Sequence, residues 1–156
     1  MKTKIFFGKT AAACFIGLMA VLLLLPGCSD GRPKRVKVSG TVLIDGKPLS
    51  GGFIRFYPEG GRTAWSDIDE QGRFTLSCFD KGDGVVPGTH PIAVTGTTQI
   101  SQTTIKWNAP PKYAEPQTSG LKKTIDGPTD SLTIELTWKG DPKGRPFVQD
   151  VEANVE

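Results

Sequence analysis

Few residues in this chain could carry chemistry, and they fall into three groups. Asp67-x-Asp69-x-Gln71-Gly72 has the outline of a calcium loop. A twelve-residue hand needs Asp or Asn at its fifth position and a bidentate Glu at its twelfth. Those positions hold Gln71 and Cys78, so a polar turn between two strands accounts for the residues better. His90 is the only histidine, and with Cys78 it could form a nucleophile–base pair only if the fold joins them. One His and one Cys cannot build a tetrahedral zinc site of the usual N/S kind. The expected reading is therefore a structural His90 and a buried, inert Cys78. Trp65, Trp107 and Trp138 form the third group, since exposed aromatic faces can stack on sugar rings. Trp138 follows Leu132, Ile134 and Leu136 at spacing two and is expected in the core. Trp65 and Trp107 fall on or beside outward positions and are the candidate ligand contacts. None of these residues calls for a cofactor.

Strands must position all of them. From Val36 the apolar period is two: Val36, Val38, Val42 and Ile44 share a face, and Asp45-Gly46 is a strong hairpin signal. Phe53–Tyr57, Arg62–Ile68 and Phe74–Phe79 follow, separated by Pro58-Glu59-Gly60-Gly61 and Gln71-Gly72. After the Gly/Pro loop Gly82–Gly88, His90, Ile92 and Val94 align on a fifth strand. Pro91 within it should mark an edge, a strand start or a bulge. Residues 96–106 are rich in Thr and Gln and read as an exposed excursion. Leu121–Ile125 gives a sixth strand, and Leu132 to Trp138 the clearest alternation of all. Residues 139–156 lose the pattern and read as a mobile tail. Seven short strands at this spacing predict an all-β fold, an antiparallel Greek-key β-sandwich over residues 36–138.

The N-terminus has a different character. Lys2, Lys4 and Lys9 precede an apolar run from Thr10 to Leu25, short of the roughly 20 residues that a spanning helix needs. The run ends in Leu25-Pro26-Gly27-Cys28. These four residues resemble the lipobox of bacterial lipoproteins. That resemblance implies a signal peptide over residues 1–27, cleavage before Cys28, and a lipid on its thiol. Residues 28–35 then form a polar tether; its last seven residues, extended, reach on the order of 25 Å. Removing the leader takes three lysines and no acid, leaving 16 basic and 16 acidic residues in 129. A neutral mature chain lacks the electrostatic footprint of nucleic-acid binding. Cys14 leaves with the leader and Cys28 carries the lipid, so Cys78 has no partner for an intramolecular disulfide.

Val38-Ser39-Gly40-Thr41-Val42, Asp45-Gly46-Lys47-Pro48-Leu49 and Gly72-Arg73-Phe74-Thr75-Leu76 together resemble the carboxypeptidase regulatory-like domain, a transthyretin-type sandwich. Gly82-Asp83-Gly84-Val85-Val86-Pro87-Gly88 is similar to a loop of small planctomycete lipoproteins of this type. So are Pro110 or Pro111 with Tyr113, and Ser119-Gly120-Leu121. His90 departs from that pattern, which places tyrosine there. Hydrolases of hydroxyisourate share the fold, but their several histidines and C-terminal Tyr-Arg-Gly-Ser motif are absent from this sequence. The expectation is a non-catalytic, membrane-anchored module for adhesion, scaffolding or envelope assembly. Its partners would be the bilayer, through Cys28, and an envelope protein or polysaccharide. A carbohydrate-binding lipoprotein using Trp65 or Trp107 is the alternative, and a hydrolase with His90 as base the weakest reading. Ser29, where aspartate favours inner-membrane retention, leans the placement toward the outer membrane.

Overall fold

The computed structural model describes residues 31–150. These cover nearly all of the compact unit Pro33–Glu156. The leader, Cys28 and residues 151–156 lie outside the described residues. The fold is all-β. Among the described residues the strands are β1 (Val38–Ile44), β2 (Lys47–Pro48), β3 (Gly52–Phe56), β4 (Ala64–Ile68), β5 (Arg73–Thr75) and β6 (Gly88–Thr95). They continue with β7 (Thr97–Gln99), β8 (Thr104–Trp107), β9 (Leu121–Ile125), β10 (Thr129–Leu136) and β11 (Phe147–Asp150). A 3-10 turn at Pro111–Ala114 and one α-turn at Pro116–Ser119 precede β9. No helix among the described residues is long and apolar enough to cross a membrane.

One sheet sets β1 between β10 and β2, with β5 also paired to β1. The β1–β10 pair is parallel, from Val38 opposite Thr129 to Ile44 opposite Leu136. This corrects the expectation of an antiparallel architecture throughout. Side chains alternate with period two in both arrangements, so the pattern cannot tell them apart. Gly40 marks the close approach of the two strands. A Cβ there would lie 1.9 Å from the Leu132 carbonyl oxygen, next to the register shift between Val38 and Gly40.

The second sheet runs β4-β3-β6-β9, all antiparallel. Its inward residues include Ile54, Phe56, Ile92 and Val94, all fully buried, and they join Val42, Leu76 and Ile134 in one apolar cluster. Each such side chain contributes about 1.5–3 kcal/mol on burial. Pro91 sits inside the central strand β6, away from the positions expected of it. It is tolerated because β3 has just ended: Phe56 pairs with Ile92, and the Pro91 carbonyl accepts from the Tyr57 N–H. The missing Pro91 donor therefore falls where the ladder has stopped.

The expected strand Phe74–Phe79 divides between the two sheets. Arg73–Thr75 pairs with β1, whereas Ser77 bridges to Trp65 of β4. Phe74, Leu76 and Cys78 all point inward across the change, so the alternation survives while the hydrogen-bond partner switches.

A third sheet, β11-β8-β7, replaces two expectations. The excursion at 96–106 is a hairpin, β7 with β8. Residues 147–150 of the expected tail form β11 on the other side of β8. An aromatic stack makes this pairing worthwhile. Trp107 stacks on Phe147 at 6.3 Å between centroids, and Trp138 meets Phe147 edge-on at 6.4 Å.

Candidate functional site

On the outward side of the second sheet an exposed indole is held in place. Trp65 is 43% exposed, the most open large aromatic side chain among the described residues. Its position in β4 puts Ala64 and Ser66 inward and turns its ring out. Arg55 is its cross-strand partner on β3, and Phe53 is the diagonal neighbour. Phe53 stacks on the indole at 5.5 Å with planes 16° apart, and the Arg55 guanidinium lies over Phe53 at 4.6 Å. Such contacts fix an aromatic platform before any ligand arrives.

Trp65 walls two clefts. The deeper, about 690 Å³, lies between Trp65 and the chain from Ser77 to Gly82, with Arg62, Asp67, Asp80 and Lys81 on its lining. The shallower, about 540 Å³, is formed with Phe53, Arg55, Tyr57 and Thr63. Both volumes fall within the range of small-molecule sites. Trp107 lines neither cleft. It is half-buried, and its indole N–H donates to the Gln149 side chain at 2.8 Å. The structure thus separates the two candidate contacts: Trp65 is available to a ligand and Trp107 is committed to the third sheet. Trp138 is 6% exposed, as its alternation implies.

The groups with reactive potential are buried. Cys78 is 2% exposed, its thiol directed at the Arg62 carbonyl at 3.6 Å. Burial pushes that thiol up, and the Asp83 charge adds to the effect. His90 is fully buried against Phe56, at 5.9 Å between rings. Its Nε2 donates to the Val86 carbonyl at 2.9 Å, while Nδ1 has no hydrogen-bond partner. Burial holds the imidazole below its ordinary range, only partly offset by the Val86 bond. The fold does not join His90 and Cys78: each is explained by its own backbone partner.

Asp69 is consumed by its turn. One oxygen accepts from the Gln71 and Arg73 N–H groups at 2.9 and 2.8 Å, and the other from Arg73 Nε at 2.8 Å. The Arg73 N–H bond first, then the guanidinium and the Gln71 N–H, holds the carboxyl below its ordinary value. Among the described residues no group of three or more His, Cys, Asp or Glu side chains is placed to hold a metal ion.

A pair absent from the sequence reading supports the cleft from behind. Asp83 accepts from the Cys78 N–H at 2.6 Å and the Phe79 N–H at 3.1 Å, and pairs with Arg35. Burial alone would raise its carboxyl, but those N–H bonds and the Arg35 charge outweigh it and hold it low. Phe79 in turn carries the Arg35 and Arg62 guanidinium groups over its ring, at 4.9 and 5.0 Å. Gly84 allows the loop to close: its φ is +97°, and a Cβ would meet the Val36 carbonyl oxygen at 1.8 Å. The Gly-Asp-Gly spacing was the available signal for this anchor, and the partner lies nearly fifty residues away.

Compared with known protein families, curated proteins and solved structures, the chain matches none.

Proposed function

We propose that this protein is a non-catalytic, lipid-anchored module of the cell envelope. Its all-β unit is held at a membrane through acylated Cys28 and serves adhesion, scaffolding or envelope assembly. The observation that carries the non-catalytic reading is the burial of both reactive side chains, Cys78 at 2% exposure and His90 at 0%. A nucleophile needs a base within hydrogen-bond reach, and the Cys78 thiol and the His90 imidazole each face a backbone carbonyl instead. The anchor rests on the lipobox-like Leu25-Pro26-Gly27-Cys28 after a short apolar run, with Ser29 favouring the outer membrane. A transthyretin-type sandwich of the carboxypeptidase regulatory-like kind is the finer architecture in this reading. Two four-stranded sheets sharing one core support it, as does the Gly82–Gly88 loop locked by Asp83. The parallel β1–β10 pair is its departure from a simple Greek key.

The test is Cys28→Ser. Two acyl chains give stable anchoring at about 0.8 kcal/mol per buried methylene, so the serine variant is released from membranes. Retention of the variant after a salt wash would overturn the anchor. A second reading, carbohydrate binding, is favoured by one observation: Trp65 is exposed and already stacked on Phe53.

A further inference from the structure

Resting on the saccharide reading of Trp65, the geometry points to a site for a neutral polysaccharide chain that lies across the indole and engages both clefts at once. The platform is rigid before binding. Phe53 covers one side of Trp65, and Arg55 caps Phe53. Little side-chain freedom is left to lose on association. Because Trp65 is the shared wall of the two clefts, a ring stacked on it has room for a neighbouring ring on either side. A chain of linked rings fits this layout, whereas a single small ligand would use one cleft alone.

The polar lining selects the chemistry. The deeper cleft presents two cations, Arg62 and Lys81, and two carboxylates, Asp67 and Asp80, together with the Ser77 side chain, whose hydroxyl oxygen accepts from the Gly82 N–H. Within this cleft the charges cancel, so neither a uronate nor a phosphate chain gains from entering it. Sugar hydroxyls both donate and accept, and this mixture of donors and acceptors serves both roles. The shallower cleft adds the Tyr57 and Thr63 side chains and the Arg55 guanidinium, which is engaged over the Phe53 ring. A single-stranded nucleic acid would also stack, but it requires a positively charged groove. A proline-rich peptide favours aromatic grooves with few charges.

The experiment is affinity electrophoresis of the full chain in detergent, through native gels holding xyloglucan, galactomannan or hydroxyethylcellulose. Polygalacturonate serves as the anionic comparison. Retardation is expected in at least one neutral gel. Trp65→Ala should weaken it by about tenfold or more, with Trp65→Phe keeping part of the effect. Asp67→Asn in the deeper cleft and Tyr57→Ala in the shallower one should each weaken it severalfold, with melting temperatures unchanged. If Asp67→Asn weakens retardation and Tyr57→Ala does not, the two-cleft path is wrong while the saccharide reading stands. Absence of retardation in all neutral gels, or retardation that survives Trp65→Ala, overturns both. Retardation by polygalacturonate alone overturns the neutral specificity. Release of the bound protein by a proline-rich peptide that competes at Trp65 overturns the ligand class.

Discussion

The Arg35 guanidinium and the Asp83 carboxylate lie 2.8 Å apart with both side chains about 15% exposed, joining the segment before β1 to the Gly82–Gly88 loop. The same carboxylate receives the Cys78 and Phe79 N–H groups at the floor of the deeper cleft. The path of the chain into β1 and the shape of the cleft are thus set by one side chain.

Removing that side chain should therefore cost more than removing its partner. Asp83→Ala strands two backbone donors and also removes the Arg35 ion pair, and unsatisfied buried groups cost about 1–3 kcal/mol each. Arg35→Ala leaves Asp83 its backbone donors and should cost about 1 kcal/mol, the scale of a partly exposed ion pair. Urea unfolding of both variants and the double variant measures the coupling. Equal losses in the two single variants would show that the N–H bonds contribute nothing.

The Asp83 carboxyl is held below its ordinary value in the folded chain. Its contribution is complete above the unfolded carboxylate value, near 3.9. It is lost as pH falls below that, through the lower folded value. Melting measured from pH 5 to pH 2 should fall less steeply in Asp83→Asn than in the parent. Parallel curves would remove Asp83 from the acid response.

His90 acts in a different window. Burial lowers its folded value, so below the ordinary imidazole value of about 6.5 the unfolded chain binds a proton that the folded chain refuses. Stability should therefore be full above that pH and decline as pH falls toward the folded value. Its cross-strand neighbour Lys123 carries positive charge and gives the imidazolium no help. His90→Phe should lose about 1 kcal/mol for the unpaired Val86 carbonyl but flatten the melting profile between pH 7 and pH 5. A parent profile that is already flat there would refute the assignment.

The three tryptophans should separate by packing. Trp138→Ala should destabilise the domain by about 3–5 kcal/mol, the cost of emptying a large aromatic site. Trp107→Ala loses its stack on Phe147 and its bond to Gln149, so it should open the third sheet and expose residues 139–150 to protease. Trp65→Ala, on the surface, should change melting least. A protease pattern unchanged in Trp107→Ala would show that β11 is held by other contacts.

Millimolar calcium should leave melting unchanged, because both Asp69 oxygens already accept hydrogen bonds from the turn. A bound ion would stabilise the folded chain by mass action. A calcium-dependent rise in Tm that disappears in Asp69→Asn would reverse this reading.

How much of this was legible follows from what each element needed. The seven expected strands correspond to β1, β3, β4, β5, β6, β9 and β10; most bury one face and so show period two, whereas β9 buries only Ile125 and is marked by its apolar ends. The β7–β8 hairpin is built from Thr, Gln and Lys, with Ile105 and Trp107 as its apolar residues, and has no alternation strong enough to announce it. Trp107 becomes half-buried only because Phe147 arrives from forty residues away. No local pattern carries that information. The outward position of Trp65 was readable from Ala64, Ser66 and Ile68. Its stacking on Phe53 was not, because it depends on the β3–β4 register.

The parallel β1–β10 pair fixes a timetable. Val38 meets a residue at Thr129, about ninety positions later, and no hairpin can bring them together early. Closing so long a loop is entropically expensive and slow, and contact orders of this kind belong to folding in milliseconds to seconds. A chain synthesised N-terminus first keeps its opening strand without its long partner until β10, Thr129–Leu136, has been made. This leaves β1 dependent on chaperones or a covering surface while the rest of the chain is made, and a truncation before residue 129 should yield a protein that never folds.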